Sequence, residues 1–166
     1  DTAMPTSQGM TSQSNYEGAI AAYWQPGAAF LVTAGVLAYE GEATPTGTVV
    51  SLGWDIAQFD LGYRDHWWSP AQGNAMLLST QAATMPSVTI SNYKPLTKAR
   101  LRYEAFVARM SESSNIGLDG GTTAGHPQLA GLHLSIEPFP GWSLGVSRIM
   151  QYGGGEREDS FGDLLD

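Results

Sequence analysis

Along residues 50–64 every second side chain is apolar. Val50, Leu52, Trp54 and Ile56 share one parity, with Ser51, Gly53 and Asp55 between them. Phe59, Leu61 and Tyr63 then alternate with Asp60, Gly62 and Arg64. Successive side chains of an extended chain point to opposite faces, so a period of two marks strands with one apolar and one polar face. The two runs lie so close together that they predict a tight hairpin around Ala57 and Gln58.

The same period recurs along most of the chain. Gly18, Ile20, Ala22 and Trp24 share a parity, as do Phe30, Val32, Ala34 and Val36. A further run is SVTISNY near 87–93. Leu101, Tyr103, Ala105 and Val107 then oppose Arg100, Arg102 and Glu104. Leu132, Leu134 and Ile136 oppose His133, Ser135 and Glu137, and WSLGVSRIM follows a turn at Gly141 and Trp142. This predicts seven or eight antiparallel strands of about ten residues, the length a tilted strand needs to cross a bilayer. Residues 41–47, with Pro45 and Gly47, and the Gly/Ser/Asp-rich 111–127 read as loops. Residues 1–14 read as a loop or disordered lead-in and 15–159 as the strand-rich body. Residues 160–166 read as a truncated helix start, with Ser160 as N-cap and Asp163 three positions later.

Periodicity does not say what meets the apolar faces, and here composition helps. Only 14% of the residues are charged, against roughly a quarter in typical soluble domains. No run approaches the roughly 20 apolar residues of a membrane helix. Low charge with dispersed apolar residues is the pattern of a transmembrane β-barrel, whose outer face is built from alternate positions. A soluble β-sandwich rich in Gly and Thr has a similar composition, so both readings stay open. The net charge of −8 argues against nucleic acid as a partner, since phosphate binding needs a cationic surplus. With no cysteine there is neither a disulfide framework nor a thiolate metal site. His66, His126 and His133 lack the spacing of metal ligands, so no metal or cofactor is expected. No G-x-S-x-G elbow is present. Asp65 and His66, as neighbours on a strand, point to opposite faces, so catalysis by that pair is not expected.

Three stretches carry a resemblance. YRDHWWSP, LLSTQAATMPSVTISNY and GLHLSIEPFPGWSLGVSRIMQYGGGER resemble the Wzi-type capsule assembly proteins of Gram-negative outer membranes. The tryptophan pair before a small residue and Pro, the later Met-Pro, and EP-x-PGWSLGV-x-R are jointly specific. They cover roughly residues 50–166; the earlier part matches in strand pattern only. The resemblance implies an antiparallel up-and-down outer-membrane barrel that is monomeric in its full-length form. It implies binding of capsular polysaccharide at the cell surface, outer-membrane lipid around the barrel, and no enzymatic activity. Such a barrel needs about twice the strands found here and usually finishes on an aromatic residue. This chain finishes Leu164, Leu165, Asp166, so the expectation is a fragment of a longer protein.

Trp67 and Trp68, with Arg64 and His66, are expected where a strand leaves the apolar layer. The indoles would lie at headgroup depth and the ionisable pair would face the lumen. Tyr152, Arg157, Arg148 and Trp142 are the candidate polysaccharide contacts, because rings stack on pyranose faces and arginines meet acidic sugars. Arg100, Arg102 and Glu104 are expected to form an internal ion-pair ladder. Two other readings compete, a soluble β-sandwich carbohydrate-binding module and a glycosidase on a β scaffold. Detergent dependence separates the first from the barrel, and polymer turnover separates the second.

Overall fold

The computed structural model describes residues 4–5, 11–12, 17–39, 42–66, 68, 78 and 84–157. Every element in it is a strand. In chain order they are β1 (Met4–Pro5), β2 (Thr11–Ser12), β3 (Glu17–Gly27), β4 (Phe30–Tyr39), β5 (Glu42–Thr44), β6 (Val49–Gly53) and β7 (Gln58–Tyr63). There follow β8 (Pro86–Ser91), β9 (Arg102–Arg109), β10 (Ser113–Leu118), β11 (Gly121–Gly125), β12 (Gln128–Phe139) and β13 (Trp142–Tyr152). One nine-stranded sheet runs β13-β12-β9-β8-β7-β6-β4-β3, with β5 also on β4. All its pairings are antiparallel. The fold is therefore all-β and up-and-down. β3 and β13 are the end strands of the sheet. No helix among the described residues is long and apolar enough to cross a membrane, which says nothing about crossing by strands.

Four details differ from the sequence reading. The loop expected at 41–47 contains β5, which continues β6 along the same edge of β4 after an interruption. At that interruption Thr48 donates its hydroxyl to the Gly35 carbonyl at 2.8 Å. A Cβ on Gly35 would meet the Thr46 carbonyl oxygen at 2.3 Å, so only glycine lets the chain cross there. The loop expected at 111–127 holds the separate hairpin β10–β11, closed by Asp119 and Gly120. Gly120 holds φ +89°, and an Asp-Gly pair between extended segments is a hairpin signal. The β6–β7 turn spans Trp54 to Ala57, closed by a 2.7 Å backbone hydrogen bond. Gln58 is thus already in β7, and Trp54 and Ile56 ride on the turn. Within the expected lead-in, β1 pairs with β2. The helix start expected at 160–166 lies outside the described residues.

Cross-strand partners share a face, so the register sorts the side chains. One row runs Val32, Val50, Leu61, Val88, Val107, Ala130, Met150. The row one residue away runs Leu31, Ser51, Asp60, Thr89, Phe106, Gly131, Ile149. Exposure is inverted between them. Leu61 and Val88 are 60% and 56% exposed, whereas Asp60 and Thr89 are 3% and 0% exposed. Ile20, Trp24, Leu52, Leu132, Leu144 and Val146 are also exposed. The apolar face is the open one, and the polar face is enclosed. The buried apolar cluster is small, Trp68, Phe106 and Ala108 with Leu78, Met85, Leu129 and Ile149 packed on it. Through Phe106, Ala108 and Ile149 it belongs to the polar face.

The two ends of the sheet differ as well. At one end the links are short, at residues 28–29, 54–57, 92–101 and 140–141. At the other end lie the 40–48 link, which carries β5, and the two longest links, 64–85 between β7 and β8 and 110–127 between β9 and β12.

Candidate functional site

β7 ends at Tyr63, and the chain stays on the enclosed face. Arg64, His66 and Trp68 form a strap across β7, β8 and β9. The Arg64 guanidinium pairs with Asp60 on β7 and donates to Ser91 Oγ on β8 at 3.1 Å. Its second terminal nitrogen donates to Glu104 Oε2 on β9 at 2.9 Å. His66 Nδ1 lies 2.8 Å from Glu104 Oε1, and Trp68 Nε1 donates to the same oxygen at 2.7 Å. Gln58 donates to Asp60 from one register position away. The rings extend the network across the sheet. His66 stacks on Phe106 with centroids 4.1 Å apart. Trp68 stacks on His133 of β12 at 5.6 Å, and His133 Nδ1 shares a 2.7 Å hydrogen bond with Ser147 of β13.

This geometry fixes what the groups can do. An ionised carboxylate only accepts, so His66 must carry its proton on Nδ1 to bond Glu104. Glu104 accepts from three side chains of the strap and is a tether rather than a free base. His66 Nε2 is buried with no hydrogen-bond partner among the described residues. Asp65 turns away and stays exposed. The protein around its carboxyl raises its pKa above the ordinary aspartate value, and His66 pulls the other way. Among the described residues no three His, Cys, Asp or Glu side chains gather into a metal-binding group.

Gly131 of β12 makes room for the strap. A Cβ there would meet Phe106 Cε1 and Trp68 Cη2, each at 2.4 Å. Both rings are held, one in the sheet and one by Glu104, so neither yields freely. Gly131→Ala is expected to destabilise the fold by about 1–3 kcal/mol, the usual cost of overpacking. Thermal unfolding in detergent checks it; a variant as stable as the parent would mean the strap is loosely seated.

The expected sites divide. Trp68 is 3% exposed, so it is not an indole lying at an interface. Glu104 is a buried acceptor for its N–H, and that draws the ring inward. Trp67 lies outside the described residues. Arg64 and His66 do meet on the enclosed face, and both bind Glu104. The expected Arg100–Arg102–Glu104 ladder is replaced by other pairs. Glu104 faces Arg64 and His66, while Arg100 Nε lies 3.2 Å from Glu137 Oε2 near the short-linked end. Positive φ at Arg100 takes it out of the regular strand.

Tyr152 and Trp142 sit at opposite ends of β13, ten residues or about 33 Å apart along the strand, so they cannot share one site. Trp142 is 68% exposed at the short-linked end, beside Phe139. Arg148 lies mid-strand opposite Leu132, on the open apolar face. Tyr152 and Arg157 are at the long-linked end, where Arg157 donates to the Gln151 carbonyl at 3.5 Å. Gly153, Gly154 and Gly155 all hold positive φ. They make a turn docked on the β10–β11 stem, where a Cβ on Gly155 would meet Thr123 Oγ1 at 2.5 Å. Glu156 N donates to that same hydroxyl. The Tyr152–Arg157 stretch is thus a shaped surface rather than a free loop.

A family model described as "Capsule assembly protein Wzi" matches residues 6–166. No curated protein and no solved structure matches the chain.

Proposed function

The chain belongs to the Wzi capsule assembly family, and on that footing we propose that it is part of an outer-membrane barrel that holds capsular polysaccharide at the cell surface without chemical turnover. The role in capsule assembly comes with the family. The membrane placement rests on one observation, the inverted sheet. Exposed Leu61, Val88, Leu144 and Val146 face outward, while Asp60, Thr89 and Glu104 are enclosed. In water such a face would be covered, because contiguous apolar surface of this extent is costly. In lipid it is the required arrangement, since the inner strands pair their backbone groups within the sheet, further strands of the barrel would pair the outer edges of β3 and β13, and the apolar side chains meet acyl chains. Among the described residues no second sheet packs on this face, as a β-sandwich would need.

The ends of the strands orient the segment. Outer-membrane barrels have short periplasmic turns and longer outer loops. That puts Trp142, Phe139 and Trp54 at the periplasmic interface, as part of an aromatic girdle. Tyr152, Arg157 and the β10–β11 hairpin then face the polymer. Arg148 is the only charge on β13, and its flexible stem carries the guanidinium toward the headgroup zone. Polymer contact is weak at each sugar and strengthened by the repeating chain.

The test is retention of isolated capsular polymer by the full-length protein in detergent. Tyr152→Ala and Arg157→Gln are each expected to weaken retention several-fold, and Trp142→Ala to leave it unchanged. Equal loss from all three variants would contradict this orientation, and release of shortened polymer by the parent would contradict a purely binding role.

A further inference from the structure

The open face carries one feature that polymer binding does not use. Near its long-linked end is a pocket of about 700 Å³. Its apolar wall is made by Leu61, Val88 and Val107, which project from the open face. Its polar rim is made by Arg109, Gln128 and His126. The register fixes Arg109 on that same face, two residues beyond Val107 and opposite Gln128. The docked Gly154–Gly155 turn completes the lining, and His126 follows directly on β11.

The chemistry of this pocket is divided along one line. Below the rim the wall is mostly apolar, with Pro86 and Ala108 beside the aliphatic side chains and the Ser87 hydroxyl spent on the Gly62 carbonyl, and it is continuous with the surface read as lipid-facing. At the rim stands Arg109, exposed, with no ion pair among the described residues of a chain whose net charge is −8. His126 Nδ1 bonds the Met110 carbonyl at 3.3 Å, which holds its ring at the rim with Nε2 as its other polar atom. A cation at the end of an apolar groove, at headgroup height, matches a ligand with an anionic head and an acyl body. A polymer of sugars would leave the aliphatic wall unsatisfied, and a free anion would ignore it.

We propose that this pocket seats a phosphorylated lipid of the outer leaflet, its phosphate on Arg109 and His126 and an acyl chain along Leu61, Val88 and Val107. Arginine suits a phosphate because it can donate two parallel hydrogen bonds to it. The site rests on the barrel reading above. It adds a specific lipid to the membrane contact and borders the surface assigned to the polymer at the Gly154–Gly155 turn. Such a lipid would brace the root of the β10–β11 hairpin, joining the hairpin's position to the membrane around it.

The experiment uses the full-length protein in mild detergent, with bound lipid counted by native mass spectrometry. The probes are a lipid with a phosphomonoester headgroup, an uncharged lipid with the same acyl chains, and inorganic phosphate alone. The parent is expected to retain the phospholipid over the uncharged lipid, and Arg109→Gln to weaken that retention about tenfold, the scale of one charge-assisted hydrogen bond. Leu61→Asn is expected to weaken it as well, while Arg109→Gln keeps the parent's unfolding temperature and polymer retention. Equal retention of the two lipids, no change in Arg109→Gln, or full protection by inorganic phosphate alone would overturn the lipid site. A parent that stays monodisperse without detergent would overturn the barrel reading first, and this site with it.

Discussion

Replacing Glu104 with alanine is expected to remove roughly 3–5 kcal/mol of stability, the summed cost of leaving the Arg64, His66 and Trp68 donors without their acceptor. Glu104 is 15% exposed and accepts from Arg64, His66 and Trp68. Without it the Arg64 guanidinium keeps Asp60 but loses its contact with β9. The His66 and Trp68 N–H groups lose the acceptor they share among the described residues, in a region that water reaches poorly. Glu104→Gln keeps the shape and one acceptor oxygen, so it should cost less, about 1–3 kcal/mol, mostly from the unmet donors. Arg102→Ala is the control. Arg102 lies two residues away on the same face, is exposed and makes no ion pair among the described residues. It should change stability by less than about 0.5 kcal/mol. Thermal unfolding of the three variants in one detergent orders them. If Glu104→Ala matches Arg102→Ala, the strap is not held by this carboxylate.

The second large effect concerns the open face. Leu134 lies on β12 between Tyr103 of β9 and Val146 of β13, and it is 38% exposed. It is far from both ends of the long strands and not at a sheet edge. Leu134→Arg in a bilayer should cost about 2–4 kcal/mol, the range for a charge at mid-depth on the lipid face of a barrel. In a water-facing sheet the same exposed substitution would fall within about 0.5 kcal/mol and would improve solubility. Folding yield into lipid vesicles, compared between Leu134→Arg and the parent, separates the two. The measurement is informative because the two environments predict different sizes for one substitution.

Much of the fold was legible from alternation alone. Val50, Leu52, Phe59 and Leu61 fall on one face as their parity requires, and so do Tyr103, Ala105, Val107 and Leu132. Short range carries that signal, since each strand states its own faces. The links were less legible. Asp119-Gly120 was a readable turn, yet the polar residues around it look the same in a hairpin and in a loop. The strap was hidden for a different reason. Arg64, His66 and Trp68 share the parity of Asp60, which hints at the enclosed side, but nothing local says that the chain folds back after Tyr63. That depends on Glu104, 40 residues from Arg64, and on the space left by Gly131, which one-dimensional patterns do not record. A tryptophan beside an apolar strand looks the same whether its N–H will meet water or a buried carboxylate.

Parity also explains why the polysaccharide candidates separate. Trp142, Arg148 and Tyr152 share the open face, but the strand's length spreads them from one end of the sheet to the other. Sequence proximity within one strand is distance in space, so only Tyr152, with Arg157 beyond it, remains beside the long links.

If the barrel reading holds, the aliphatic row meets lipid and the polar row is enclosed. The 166 residues contain no cysteine, so single-cysteine spin labels can be placed one at a time. Labels at Val50, Leu61 and Val146, and a comparison label at Arg102, would be read in the reconstituted bilayer for collision with dissolved oxygen and with a water-soluble nickel chelate. Oxygen-dominated relaxation is expected at the first three positions and nickel-dominated relaxation at Arg102. Nickel-dominated relaxation at Val50, Leu61 and Val146 would contradict the barrel reading.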